Sequence, residues 1–86
     1  MGINLAKYNL PSRIKLRAIS ENHIGIEKLI KSRIIQKDAI KIVEISNQIK
    51  KNDSNITVSL ICTTNICSKS LLLLKDENIP IITEEL

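Results

Sequence analysis

The second half of this 86-residue chain alternates twice between helical and strand patterns, and this alternation constrains the fold more than any other feature. Residues 38–51 carry apolar side chains at helical spacing, and residues 56–62 form a short run of strand type. Residues 67–76 predict a second helix, with Leu71 to Leu74 packed on the sheet, and residues 79–83 predict a last strand. A right-handed crossover should place the last strand parallel to 56–62.

Capping residues predict where these elements begin and end. Asp38 is expected to cap the first helix, and Ser68 or Asn65 the second, because a side-chain oxygen can accept from the free N–H groups of a first helical turn. Asn78 is expected to close the second helix. Pro80 suits the start of the last strand, where its missing N–H is tolerated.

The first half contains one clear alternation, at residues 13–20. This pattern predicts a half-buried strand with an apolar face and a cationic face. The apolar face has Ile14, Leu16 and Ala18, and the cationic face has Arg13, Lys15 and Arg17. Residues 21–25 follow as a turn candidate, because Asn22 and Gly25 tolerate positive φ.

Residues 26–35 fit two patterns. Their apolar side chains match a helical stripe, but the preceding turn favours a strand that completes a hairpin. In that strand Lys31 and Arg33 would join the cationic face of the first strand, with Lys37 just beyond it. The expected fold is therefore one small α/β domain over residues 1–86, with a mixed sheet, two flanking helices and the order β-β-α-β-α-β.

Charge and hydropathy narrow the functional classes. Lys and Arg number 13 against nine Asp and Glu, which gives a net charge of +4. This balance fits either a solubilising surface or an anionic partner such as nucleic acid. No apolar stretch approaches the length of a membrane span, and no signal-peptide core begins the chain, so a cytoplasmic protein without membrane contact is expected.

The residues for catalysis or metal binding are few. The single histidine, His23, falls in the polar turn and is expected to be solvated. Cys62 and Cys67 are expected to be plain thiols, because a zinc site needs about four Cys or His ligands. The backbone N–H groups of residues 63–65 could hold an anion, but these polar residues are equally explained as caps of the helix that follows. No cofactor, metal or catalytic residue is predicted.

The cations remain as the candidate site: Arg13, Lys15, Arg17, Lys31, Arg33 and Lys37. Like charges on adjacent strands repel each other, so such a cluster indicates an anionic ligand or side chains splayed into water. Phosphates of double-stranded nucleic acid would bind without sequence preference and with steep salt dependence. Tyr8 is the only aromatic residue, which argues against a dedicated single-strand binder.

Residues 13–33 resemble the β-hairpin of the PD-(D/E)XK, or restriction-endonuclease-like, superfamily, and residues 38–83 resemble the helix, strand, helix and strand that follow it. The resemblance places Lys15 where the family has its metal-binding Asp and Leu29 where it has Glu, while Lys31 matches the motif lysine. Because that chemistry needs two acidic ligands for a divalent ion, the resemblance implies a degenerate, non-catalytic member.

This member would bind nucleic acid or act as a structural subunit, as a homodimer or with a partner subunit that covers an open side of the sheet. Two alternatives stay open: a protein–protein interaction module without nucleic-acid binding, and an active metal-dependent nuclease with its acids elsewhere. The segment 56–83 also resembles the last strand–helix–strand of PIN-type nucleases and part of BRCT modules.

Overall fold

The structure, a computed structural model, describes residues 14–85 together with Tyr8 and Leu10. It confirms the small α/β fold, with a four-stranded mixed sheet and two helices in the expected order. Arg13 lies outside the described residues. The elements are β1 (Leu16–Ser20), β2 (His23–Lys28), α1 (Gln36–Asn52), β3 (Thr57–Cys62), α2 (Ser68–Asp76) and β4 (Ile81–Thr83).

The strands lie side by side in chain order, β1-β2-β3-β4. β1 runs antiparallel to β2, whereas β2, β3 and β4 are mutually parallel, as predicted for the last two. The crossovers through α1 and α2 both step one strand in the same direction. Two right-handed crossovers of this kind bring both helices to one face of the sheet, and the helices contact each other there.

The core lies between this helix-covered face and the helices. Leu16 and Ala18 pair with Ile26 and Ile24 of β2, but only Leu16 packs against the core and Ala18 is exposed, so the predicted apolar face of the first strand reaches the core in part. The stripe of α1 packs against them as predicted, through Ala39, Ile42 and Ile49, together with the buried Ser46. The other face of the sheet, called the open face below, carries no helix of the described residues.

The hairpin turn is shorter than predicted, and the prediction for Gly25 was wrong. The turn comprises Glu21 and Asn22 only, and β2 already begins at His23. Gly25 sits inside β2 with an ordinary negative φ. A Cβ atom at this position would lie 2.8 Å from Cγ1 of Ile61. Gly25 is therefore required by the close approach of the Ile61 side chain, and not by turn geometry.

The strand prediction for residues 26–35 was correct only as far as Lys28. After β2 the chain runs as a connection to α1, interrupted by one isolated parallel bridge between Ile34 and Ile66. Lys31 and Arg33 therefore do not stand on a strand beside β1, which corrects the predicted cationic face. Leu29, half-buried, also lies past the end of the strand.

The helix starts differ from the predicted caps. Ile35 is the N-cap of α1, and Asp38 sits three residues inside, where its Oδ2 accepts from the Ile35 N–H at 3.1 Å. Cys67, and not Ser68 or Asn65, caps α2: its Sγ accepts from the Ser70 N–H at 3.4 Å. Each helix thus has a side-chain acceptor for a free N–H group: Asp38, which the sequence pattern singled out, in α1, and Cys67, which it did not, in α2.

The end of α2 follows the prediction, but its packing does so only in part. Asn78 adopts a positive φ of 58°, which ends the helix, and the carbonyl of Pro80 accepts from the Leu60 N–H at 2.9 Å. Of residues 71–74, Leu74 is buried, whereas Leu71 and Leu72 are exposed. A helix of nine residues turns only part of a four-residue leucine run toward the sheet.

Candidate nucleic-acid interface

The carboxyl ends of β2, β3 and β4 point to one edge of the sheet because these strands are parallel. β1 is antiparallel, so its first residues lie at this same edge, where the Glu27 N–H donates to the Lys15 carbonyl at 2.9 Å. Each helix also follows the carboxyl end of a strand through a short connection, residues 29–35 before α1 and residues 63–67 before α2. Ligands of open α/β sheets bind at this edge, called the carboxyl edge below.

Five cations lie in the segments around the carboxyl edge. Lys15 precedes β1, Lys28 ends β2, Lys31 and Arg33 lie in the β2–α1 connection, and Lys37 lies in the first turn of α1. Four of them are exposed, and Lys28 is half-buried. These five residues are called the edge cluster. It retains four of the six predicted cations: Arg13 is not described, and Arg17 lies elsewhere.

Most charges of the edge cluster lack an acidic partner. Lys28 pairs with Asp38 at 4.0 Å. Within the described part of the chain, the salt bridges include none of the other four cations. A free cation in water needs no partner, but four cations around one edge of the sheet raise the local positive potential, which attracts anions.

The connection that carries Lys31 and Arg33 is held in place by hydrogen bonds to the β3–α2 loop. Asn65 Nδ2 donates to the Lys31 carbonyl at 3.1 Å, and the Ile34 N–H donates to the Asn65 carbonyl at 2.9 Å. The Cys67 N–H in turn donates to the Ile34 carbonyl at 3.0 Å. The two cations are thus displayed on an anchored segment, although it is neither helix nor strand.

The first turn of α2 strengthens this positive field. A helix N-terminus carries a partial positive charge, which acidic residues usually offset. Asp38 offsets it in the first turn of α1, but the first turn of α2 has no acidic residue. Added to the edge cluster, the start of α2 favours a bound anion at the carboxyl edge.

Arg17 does not belong to the edge cluster, although the sequence grouped it with Lys15. Its guanidinium lies on the open face, where Nη2 donates to Glu27 at 2.9 Å and Nη1 donates to Glu84 at 2.6 Å. These hydrogen bonds raise the pKa of Arg17 and lower the pKa of Glu84. The charge of Arg17 is therefore engaged by two carboxylates of the same chain.

Acidic and hydroxyl side chains limit the edge cluster on the β4 side. An open cleft beyond the strand ends is lined by Lys31, by Thr63 and Thr64, and by Glu84 and Glu85. Thr63 Oγ1 accepts from the Asn65 N–H at 3.2 Å, so this loop satisfies its own donor. Lys31 therefore lies beside these acids, whereas Lys15, Lys28 and Lys37 belong to the β1–β2–α1 side of the carboxyl edge.

The prediction that His23 is solvated in a turn was wrong. His23 is half-buried in β2, where its Nε2 shares a hydrogen bond with Ser59 Oγ. The strand register explains the contact, because His23 pairs with Thr57 and Ser59 is the next residue on the same face of β3. Ser59 is fully buried and so is out of reach of a substrate. This pair therefore supports packing of the open face and not nucleophilic catalysis.

The two cysteines are free thiols with different surroundings. Burial raises the pKa of Cys62. The hydrogen bond with the Ser70 hydroxyl, at 2.9 Å, lowers the pKa of Cys67, and the charge of Arg33 acts in the same direction. Among the described residues, no three His, Cys, Asp or Glu side chains group closely enough to hold a metal ion.

Neither described helix combines the length and apolar composition that crossing a membrane requires. Comparison of the sequence with protein-family models, with curated proteins and with solved structures gives no match. The function must therefore be argued from the geometry of this chain.

Proposed function

We propose that this protein binds the phosphate backbone of double-stranded nucleic acid through the edge cluster, without cleaving it. The observation that carries the proposal is the placement of five cations around the carboxyl edge, four of them without an acidic partner in the described chain. A row of such cations displaces the counterions that surround a nucleic acid, and that release favours binding.

The nuclease-like kinship remains part of the proposal. Its support is the element order, in which an antiparallel hairpin is followed by two parallel crossovers. At the positions that would hold metal-binding acids stand Lys15 and Leu29. The acid paired with Lys15 across the hairpin is Glu27, and Arg17 already engages its carboxylate. A single engaged carboxylate beside a lysine is a poor divalent-metal site, so the proposed role is binding and not catalysis.

Filter binding of a labelled DNA duplex to the full chain tests this function. Binding should be independent of sequence, in the micromolar range at low salt. Each phosphate contact contributes a slope of about −0.9 to log K against log salt, so contacts by the edge cluster predict a slope of about −4. Absence of binding at low salt, or binding that salt does not weaken, would contradict the proposal.

A second candidate function rests on the open face, which no described helix covers. Ile19 is 38% exposed there, and acidic and basic side chains are interspersed on the same surface. Such a mixed surface suits a second copy of the chain or a partner subunit, because a symmetric interface must be self-complementary. Light scattering after gel filtration distinguishes the candidates: a tight dimer without retention on heparin favours the interaction module.

A further inference from the structure

A second cleft lies on the helix-covered side, between the β1–β2 hairpin and the first turns of α1. Its volume is about 260 Å³. Apolar side chains form its floor: Ile14 before β1, Ile26 on β2, and Ile42 and Ile45 on α1. Lysine side chains from the same elements reach its rim: Lys15, Lys28 and Lys41. It is called the hairpin–helix cleft here.

The two acids in this cleft are already engaged. Glu27 accepts from Arg17 at 2.9 Å. Asp38 accepts from the Ile35 N–H at 3.1 Å and pairs with Lys28 at 4.0 Å. Among the residues that the structure describes, the salt bridges leave Lys15 and Lys41 without an acid. The rim therefore presents two uncompensated positive charges above an aliphatic floor.

From this arrangement we infer that the hairpin–helix cleft binds a small amphiphilic anion, with an anionic head group on a short aliphatic chain. The head group pairs with Lys15 and Lys41, and the chain lies on Ile42 and Ile45. Burial of aliphatic surface and charge pairing with the exposed lysines of the rim then act together, as in most small-molecule sites.

The size of the cleft sets the length of the chain. The volume of about 260 Å³ suits a short chain such as that of octanoate. A nucleic-acid backbone has no aliphatic chain for the floor, so the inference stands apart from the proposed function even though Lys15 serves both sites.

Titration of the full chain with octanoate, followed by NMR of the isoleucine methyl groups, tests the inference. Octanoate should shift the methyl signals of Ile42 and Ile45, with a dissociation constant of about 1 mM or lower for a ligand of this size. Acetate lacks the aliphatic chain and so tests the contribution of the apolar floor, and 1-octanol lacks the charge and so tests the contribution of the lysines. Both should bind more weakly than octanoate. Absence of octanoate shifts at these residues, or equal binding of either comparison ligand, overturns the inference.

A charge variant with a matched control completes the test. Lys41→Gln keeps most of the side chain and should weaken octanoate binding about fivefold, while binding of 1-octanol stays unchanged. Lys51→Gln, in the last turn of the same helix, should change neither. Equal effects of Lys41→Gln and Lys51→Gln would overturn the inference. The triple variant Lys31→Gln, Arg33→Gln and Lys37→Gln should still bind octanoate even if it no longer binds duplex DNA.

Discussion

Arg17 and Glu84 join the two outer strands of the sheet across the open face. The guanidinium donates to both carboxylate oxygens of Glu84, at 2.6 and 3.1 Å, although 67 positions separate the residues. β1 carries Arg17, and Glu84 directly follows β4. Glu27 of β2 accepts from the same guanidinium. This ion-pair network holds the open face together, so Arg17 contributes to the fold and the edge cluster alone remains for anions.

The Arg17–Glu84 contact predicts a specific loss of stability in acid. The hydrogen bond from Arg17 lowers the pKa of Glu84 below its ordinary value of 4.5. A carboxyl group with a lowered folded-state pKa stabilises the fold above its ordinary pKa, and this contribution disappears as the pH falls through the lowered value. Below about pH 4.5, the melting temperature of the wild type should therefore fall more steeply than that of Glu84→Gln.

Thermal unfolding followed by circular dichroism between about pH 6 and about pH 3 provides this comparison. Glu85→Gln is the matched control, since Glu85 is the exposed neighbour and takes no part in the network. It should follow the wild type. The account of the open face would be wrong if Glu84→Gln and wild type lost stability in parallel.

Gly25→Ala should destabilise the fold by about 1–3 kcal/mol, because the added methyl group meets the buried Ile61 side chain on the neighbouring strand. In an Ile61→Ala background the space is free, and the same substitution should cost much less. A double-mutant cycle by urea unfolding measures the difference, with an expected coupling of about 1 kcal/mol or more. Simple additivity of the two changes would refute the close approach.

The two thiols should react at very different rates. In the folded protein iodoacetamide should modify Cys67 first, since its lowered pKa increases the thiolate fraction, and should reach the buried Cys62 only after unfolding. Ser70→Ala removes the hydroxyl group that stabilises the thiolate and should slow the modification of Cys67. Ser68→Ala, at the first position of α2, is the control. Mass spectrometry of digested samples reports the modification of each thiol. Equal rates for the two thiols would contradict the assigned difference between an activated Cys67 and a buried Cys62.

Much of the fold could be predicted from the sequence because local periodicity fixes helices and strands. The stripe of Ile42 and Ile49 on α1 and the parallel pairing of β4 with β3 both followed from pattern and handedness. The ends of the helices and strands depended on tertiary contacts, which the periodicity of the sequence does not encode. Gly25 was interpreted as a turn residue because the approach of Ile61, 36 positions later, leaves no local signal.

The candidate site was predictable in its residues but not in its arrangement. The sequence identified Lys15, Lys31, Arg33 and Lys37, yet it placed the first three on one sheet face with Arg17, and Lys37 just beyond that face. Only the tertiary structure shows that β2 ends at Lys28 and that acids distant in sequence engage Arg17. The positive surface therefore lies at an edge of the sheet, and it also includes Lys28, which the strand pattern did not single out.

The central claim is that the edge cluster, and not net charge in general, binds the nucleic-acid backbone. The most direct measurement compares duplex DNA binding at low salt by two triple variants with the same loss of charge. Lys31→Gln, Arg33→Gln and Lys37→Gln together should weaken binding at least tenfold and reduce the salt slope by about 3. Lys50→Gln, Lys51→Gln and Lys75→Gln, at the C-terminal ends of the helices, should have little effect. Equal weakening by both variants would contradict the claim.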